Sequence, residues 1–174
     1  DLDIVLIVPP ATNPNLIPKV ADKLWYPIWD EGMRLDHSVR TVAQARTMAA
    51  DDLKVALGLL DARTVYGDDS LRQKLSVQIQ ADWKALSDRR LPELRSHVQE
   101  RLSRCGELPH LLEPDLKESF GGLRDITILR GVAATGATQV DETGMQASRD
   151  FLLNVRDALH TVTKRPSDLL TLQE

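Results

Sequence analysis

From Ala43 to the end of the chain, apolar residues recur at three- and four-residue intervals among Ala, Leu, Gln, Glu, Arg and Lys, a period that buries one face only as a helix. Any fold must therefore be mainly helical, with its strands confined to the residues before Ala43. Two are legible there. Asp1 to Val8 reads D-L-D-I-V-L-I-V, a nearly continuous Ile/Val-rich run that suits a strand buried on both faces, and Pro9-Pro10 stops it. Arg34 to Val42 alternates through Leu35, His37, Val39 and Thr41 as a second strand. Between them, Leu16 to Gly32 places Val20, Leu24, Trp25, Ile28 and Trp29 on one helical stripe, and Gly32 ends it. The expected class is α+β: strand, helix, strand, then an α-helical bundle, predominantly helical.

The bundle is expected as helices over Ala43–Ala50, Asp52–Tyr66, Ser70–Leu86, Pro92–Arg104, Leu123–Val132 and Met145–Lys164. Pro166-Ser167-Asp168 reads as the start of one more. Gly67-Asp68-Asp69-Ser70 breaks the pattern and sets a domain boundary, giving regions 1–66 and 67–174. Gly106 to Gly122, with Pro109 and Pro114, reads as a long loop.

Composition narrows the function classes. The 174 residues carry 22 Lys+Arg against 26 Asp+Glu, for a net charge of -4, which argues against a general nucleic-acid coat. The longest apolar runs fall short of the roughly 18 to 20 residues that cross a bilayer, so no membrane role and a cytoplasmic location are expected. The single cysteine, Cys105, allows neither an internal disulfide nor a cysteine-rich zinc site.

Three groups of residues could carry chemistry. Asp1 and Asp3 stand two apart on the first strand, so their carboxylates share a face about 6.5 to 7 Å apart at Cα. They either hold Mg2+ or Mn2+, or solvate the start of a buried strand. Asp36 could add a third carboxylate if the two strands are neighbours, with Asp61 as its rival. His37 would then face the other way as a packed or surface histidine. The most distinctive stretch is L-E-P-D-L-K-E-S-F-G-G-L-R-D-I, Leu112 to Ile126, a charged loop that ends in paired glycines and opens a helix. It reads either as an anion site, with Lys117 and Arg124 as cationic donors beside Gly121 and Gly122, or as a structural turn with surface ion pairs. Arg156 with His160, and Trp25 with Tyr26 and Trp29, read as packing.

Taken together, D-L-D-I-V-L-I, L-W-Y-P-I-W-D at Leu24 to Asp30, L-D-H-S-V-R-T at Leu35 to Thr41, L-L-D-A-R at Leu59 to Arg63, L-E-P-D-L-K at Leu112 to Lys117 and G-G-L-R-D-I at Gly121 to Ile126 resemble the bacterial PII uridylyltransferase/uridylyl-removing family, in order and across nearly the whole chain. The resemblance implies the end of a polymerase-β-like nucleotidyltransferase domain followed by a helical domain. It implies Asp1, Asp3 and Asp36 as the catalytic, metal-binding acids for Mg2+ or Mn2+, and a nucleotide-binding role for Lys117, Gly121, Gly122, Arg124 and Asp125. The implied reaction transfers UMP from UTP to a tyrosine of the PII signal protein. The alternatives are adenylyl transfer from ATP, or a helical interaction module without catalysis. The chain opens inside a strand at Asp1, and the family's glycine-rich triphosphate grip, His-Asp hydrolase domain and glutamine-sensing domains have no counterpart in it. It is therefore expected to be a fragment that is inactive alone.

Overall fold

The computed structural model describes residues 2–172, and the chain divides into two compact units, 1–82 and 83–174. Its order is β1 (Leu2–Ile7), α1 (Ile17–Asp30), β2 (Leu35–Arg40), α2 (Val42–Asp51), α3 (Leu53–Leu60), α4 (Asp69–Ala85), α5 (Ser87–Cys105), α6 (Leu123–Thr135) and α7 (Glu142–Thr163), with a short 3-10 turn at Leu108–His110. The α+β, predominantly helical class holds. The division falls inside α4, later than the Gly67 break suggested. Arg46 of α2 grips Asp82 with two bonds, at 2.7 and 2.8 Å, and so keeps most of α4 in the first unit. The next residue, Trp83, donates its indole N–H to the Gly131 carbonyl at 2.8 Å, which anchors it in the second.

In the first unit, β1 and β2 form a two-stranded parallel sheet joined through α1, a βαβ unit. The register pairs Leu2 with Leu35, Asp3 with Asp36, Ile4 with His37 and so on to Ile7 with Arg40. The expectation of a strand buried on both faces is corrected: Leu2 and Val5 remain 39% and 41% exposed. Among the described residues the sheet has two strands, too narrow a surface to be covered on both faces as the strands of a large parallel sheet are. Behind the sheet, Thr41 and Gln44 form a reciprocal capping box at the start of α2. Asp52 caps α3 by accepting from the amides of Lys54 and Val55. Trp25, Ala45, Ala49, Ala56, Leu57 and Ile79 are buried in this unit.

The second unit is built on a buried cluster of Leu116, Ile126, Met145, Leu152 and Leu159. Elsewhere in this unit Arg90 is buried at 1% exposure, its guanidinium 5.5 Å over the Trp83 ring. The helix expected to start at Pro166 is replaced by an extended strap. Asp115 and Leu169 form an antiparallel bridge, in which Leu116 N donates to the Asp168 carbonyl at 2.8 Å and Leu170 N to the Pro114 carbonyl at 2.9 Å. Arg156 bonds the Asp168 carboxylate, and His160 Nε2 lies 2.9 Å from the Ser167 carbonyl, so these two α7 residues hold the strap down. Backbone partners distant in sequence outweigh the local signal for a new helix. Among the described residues, no helix is long and apolar enough to cross a membrane.

Candidate functional site

The strand register settles which side chains share a face. Residues paired across a parallel ladder project to the same side, with strands about 4.8 Å apart. Asp3 and Asp36 are such a pair, and both are exposed. On that face β2 continues through Ser38 and Arg40, whose Nε donates to Ser38 Oγ at 3.2 Å. Among the described residues, neither carboxylate carries a hydrogen bond or an ion pair. Two like charges held side by side without a cationic partner raise the energy of the sheet, and a divalent cation with oxygen preference is the species that reverses the sign of that interaction. Carboxylate oxygens are the donor type that Mg2+ or Mn2+ takes, and this pair supplies two of the roughly six positions such an ion fills. Asp1 lies outside the described residues, and among those described no group of three metal-ligating side chains forms. Asp61 ends α3 as its C-cap.

His37 points to the opposite face, as alternation requires. There its ring stands between Trp25 and Trp29 of α1, with centroids 5.2 Å from each. It rests against both indoles and is still exposed, a surface histidine in aromatic contact.

The glycine segment is a second, separate structure in the other unit. Gly121 takes φ 93°, a left-handed conformation open to glycine at little cost. A Cβ on Gly122 would stand 2.7 Å from the Leu116 carbonyl oxygen and 2.8 Å from that of Ser119. The turn is closed by its own backbone: Gly122 N donates to Ser119 O at 2.9 Å, Leu123 N to Leu116 O at 2.9 Å, Arg124 N to Lys117 O at 3.1 Å and Asp125 N to Gly122 O at 3.0 Å. The amides that an anion cradle would aim at phosphate are thus already satisfied by carbonyls. Asp125 accepts from Gly121 N and pairs with Arg101, whose guanidinium also donates to the carbonyls of Glu118 at 3.0 Å and Ser119 at 3.3 Å. Asp115 accepts from the amides of Lys117 and Glu118 at 2.8 and 2.7 Å, which shapes the turn from its other end. Arg124 Nη2 bonds Glu118 at 2.6 Å. Burial disfavours the charge on Glu118, but the bonds from Arg124 and the nearby charges of Lys117 and Arg101 outweigh it and hold the carboxyl below its ordinary range.

Arg101 and Glu118 had gone unnoticed in the sequence. The available signal was an arginine on the buried stripe of α5, where Arg90, Leu94 and Arg101 follow one another at helical spacing. Gly122→Ala should destabilise the second unit by about 1 to 3 kcal/mol, because both atoms that its Cβ meets are backbone. A thermal melt of this variant beside Gly121→Ala separates the steric cost from the conformational one.

The GlnD PII-uridylyltransferase family model matches residues 89–174. Proteins named bifunctional uridylyltransferase/uridylyl-removing enzyme align along the whole chain. The Streptomyces coelicolor protein is 52% identical over 174 residues, all of this chain and 21% of the relative. The Mycobacterium tuberculosis protein is 39% identical over 181 residues, 99% of this chain and 22% of the relative. The Corynebacterium glutamicum protein is 34% identical over 170 residues, 98% of this chain and 24% of the relative. No solved structure matches the chain. It spans about a fifth of the length of these relatives, and across that span it belongs to the PII-uridylyltransferase family.

Proposed function

We propose that the protein to which this chain belongs is a metal-dependent nucleotidyltransferase that moves UMP from UTP onto a tyrosine of the PII signal protein. The observation that carries the reading is the in-register pair Asp3 and Asp36 on one exposed sheet face. It is supported by 52% identity along the whole chain to a protein named for uridylyl transfer.

In this reading Asp3 and Asp36, with Asp1, hold Mg2+ or Mn2+. When bound, the cation lowers the pKa of the attacking hydroxyl and offsets charge on the α-phosphate and the departing pyrophosphate. The tyrosine hydroxyl gives up its proton to solvent as its oxygen forms the new bond to the α-phosphorus, the bond from that phosphorus to the bridging oxygen breaks, and pyrophosphate leaves. The two carboxylates project from neighbouring strands, so their spacing is set by the backbone ladder instead of by flexible side chains, which limits reorganisation during transfer. Within the second unit, Gly121, Gly122 and Asp125 build the turn that carries Lys117 and Arg124, the cationic side chains for which the resemblance implies a nucleotide-binding role.

The test is incubation of the full-length protein with PII, Mg2+ and either labelled UTP or labelled ATP. Label from UTP on a PII tyrosine is the expected result. Label from ATP alone would identify an adenylyltransferase, and label from neither would leave a non-catalytic interaction module.

A further inference from the structure

We infer that Arg40 is the phosphate-binding cation beside Asp3 and Asp36, taking the pyrophosphate end of a nucleoside triphosphate, an inference that rests on the proposed function above. Strand alternation and the parallel register put Asp3, Val5, Ile7, Asp36, Ser38 and Arg40 on one face, and of these only Arg40 is cationic. Ser38 stands about 6.6 Å from Asp36 along β2, and Arg40 about 13 Å. The arginine shortens that gap by lying back along the strand: its Nε donates to Ser38 Oγ at 3.2 Å, on the side of the acids. It stops short of them. Among the described residues, no carboxylate lies within ion-pair distance of Arg40.

The bond to Ser38 uses one of five N–H donors. With Nε taken, Nη1 and Nη2 still present a two-donor edge, which matches two oxygens of one phosphate. The backbone beneath is held from both sides, because Val8 N donates to the Arg40 carbonyl at 2.9 Å and the next residue, Thr41, opens the capping box of α2. Arg40 and Ser38 are both half-buried, so the fork is carried on a fixed stem. The α-phosphate, where the bond changes, belongs at the acids. The other two phosphates carry more charge and must avoid the carboxylates, and Arg40 is the cation one step along the same face. A donor already in place there meets the charge that builds on departing pyrophosphate without reorganising.

The experiment is calorimetric titration of inorganic pyrophosphate into the Mg2+-loaded full-length protein, beside a Mn2+ titration read by loss of the free-ion electron paramagnetic resonance signal. Circular dichroism confirms the fold of each variant. Arg40→Ala is expected to weaken pyrophosphate binding about ten- to a hundredfold, the worth of a lost charge-assisted hydrogen bond, with Mn2+ affinity unchanged. Arg40→Lys restores the charge without the fork and should recover only part. If Arg40→Ala does not fold, Arg40→Gln keeps most of the stem and carries the same expectation. Arg34→Ala removes an equal charge two residues before Asp36, outside the β1–β2 ladder, and should bind pyrophosphate as the wild type does. Wild-type pyrophosphate affinity in the folded Arg40→Ala or Arg40→Gln protein overturns the assignment, and so does an equal loss in Arg34→Ala, which would reduce the effect to net charge. Asp36→Asn separates this inference from the metal reading. If it abolishes Mn2+ binding while the Arg40 variants bind pyrophosphate normally, only the role of Arg40 falls. If it leaves Mn2+ binding intact, the metal reading fails and takes the role of Arg40 with it.

Discussion

Asp3→Asn or Asp36→Asn in the full-length protein should reduce nucleotide transfer by about a thousandfold or more while leaving the fold intact. The substitution keeps the shape of the side chain and removes one charge. Both residues are exposed and carry no bond to other described residues, so no buried partner is orphaned. Relief of cross-strand repulsion should even raise stability slightly. The catalytic loss has another origin. Metal stabilisation of a phosphoryl-transfer transition state is worth several kcal/mol, and each 1.4 kcal/mol is about tenfold in rate. Because the two carboxylates act as one ligand set, the double variant should be scarcely slower than either single one. Initial rates of label incorporation into PII, measured beside thermal melts, check both halves. A rate within threefold of wild type in the folded single variants would remove the acids from the mechanism.

Arg101→Ala should be the most damaging substitution in the second unit. The arginine side chain is 7% exposed and that of its partner Asp125 is 16% exposed. Its loss strands a half-buried carboxylate with only the Gly121 amide and takes a donor from the Glu118 carbonyl, while the Ser119 carbonyl keeps the Gly122 amide. Breaking a buried pair from one side costs about 3 to 5 kcal/mol, which for a chain of this size lowers the melting temperature by on the order of 10 °C. Arg101→Lys should recover little, because one ammonium cannot reproduce the planar fork that serves two carbonyls and a carboxylate together. Melting curves followed by circular dichroism read the shift. A drop of only a degree or two would mean that water replaces the guanidinium.

These expectations differ in how far the sequence foretold them. Period-two and period-3.6 patterns brought β1, α1 and β2 into view, because alternation is a local property, but the sequence left Asp36 beside Asp3 only on condition that the strands are neighbours, since register between strands is not local. Local signals misplaced two boundaries. Pro92 was read as the first residue of a helix that begins at Ser87. Its ring is tolerated inside α5 because both Pro92 and Asp88, whose carbonyl loses a partner, face solvent. The α3 helix stops at Leu60 instead of reaching Tyr66, which is 97% exposed and has no packing to sustain another turn. The glycine pair was visible as a motif, and the letters alone favoured a turn with surface ion pairs over an anion cradle without deciding between them. The difference lay in bonds from Arg101 and from carbonyls several residues away, and no periodicity encodes those.

The strap that pairs Leu169 with Asp115 also orders events on a growing chain. Synthesis delivers α5, the glycine turn, α6 and α7 before it delivers the backbone that completes the Pro114–Leu116 segment. Until residues 168–170 emerge, that segment has open amide and carbonyl groups and Leu116 lacks its final enclosure, so the nascent unit waits as a loosely packed intermediate. A chain cut just ahead of Ser167 would present a protease-sensitive loop at Pro114–Leu116, which the few residues of the strap close.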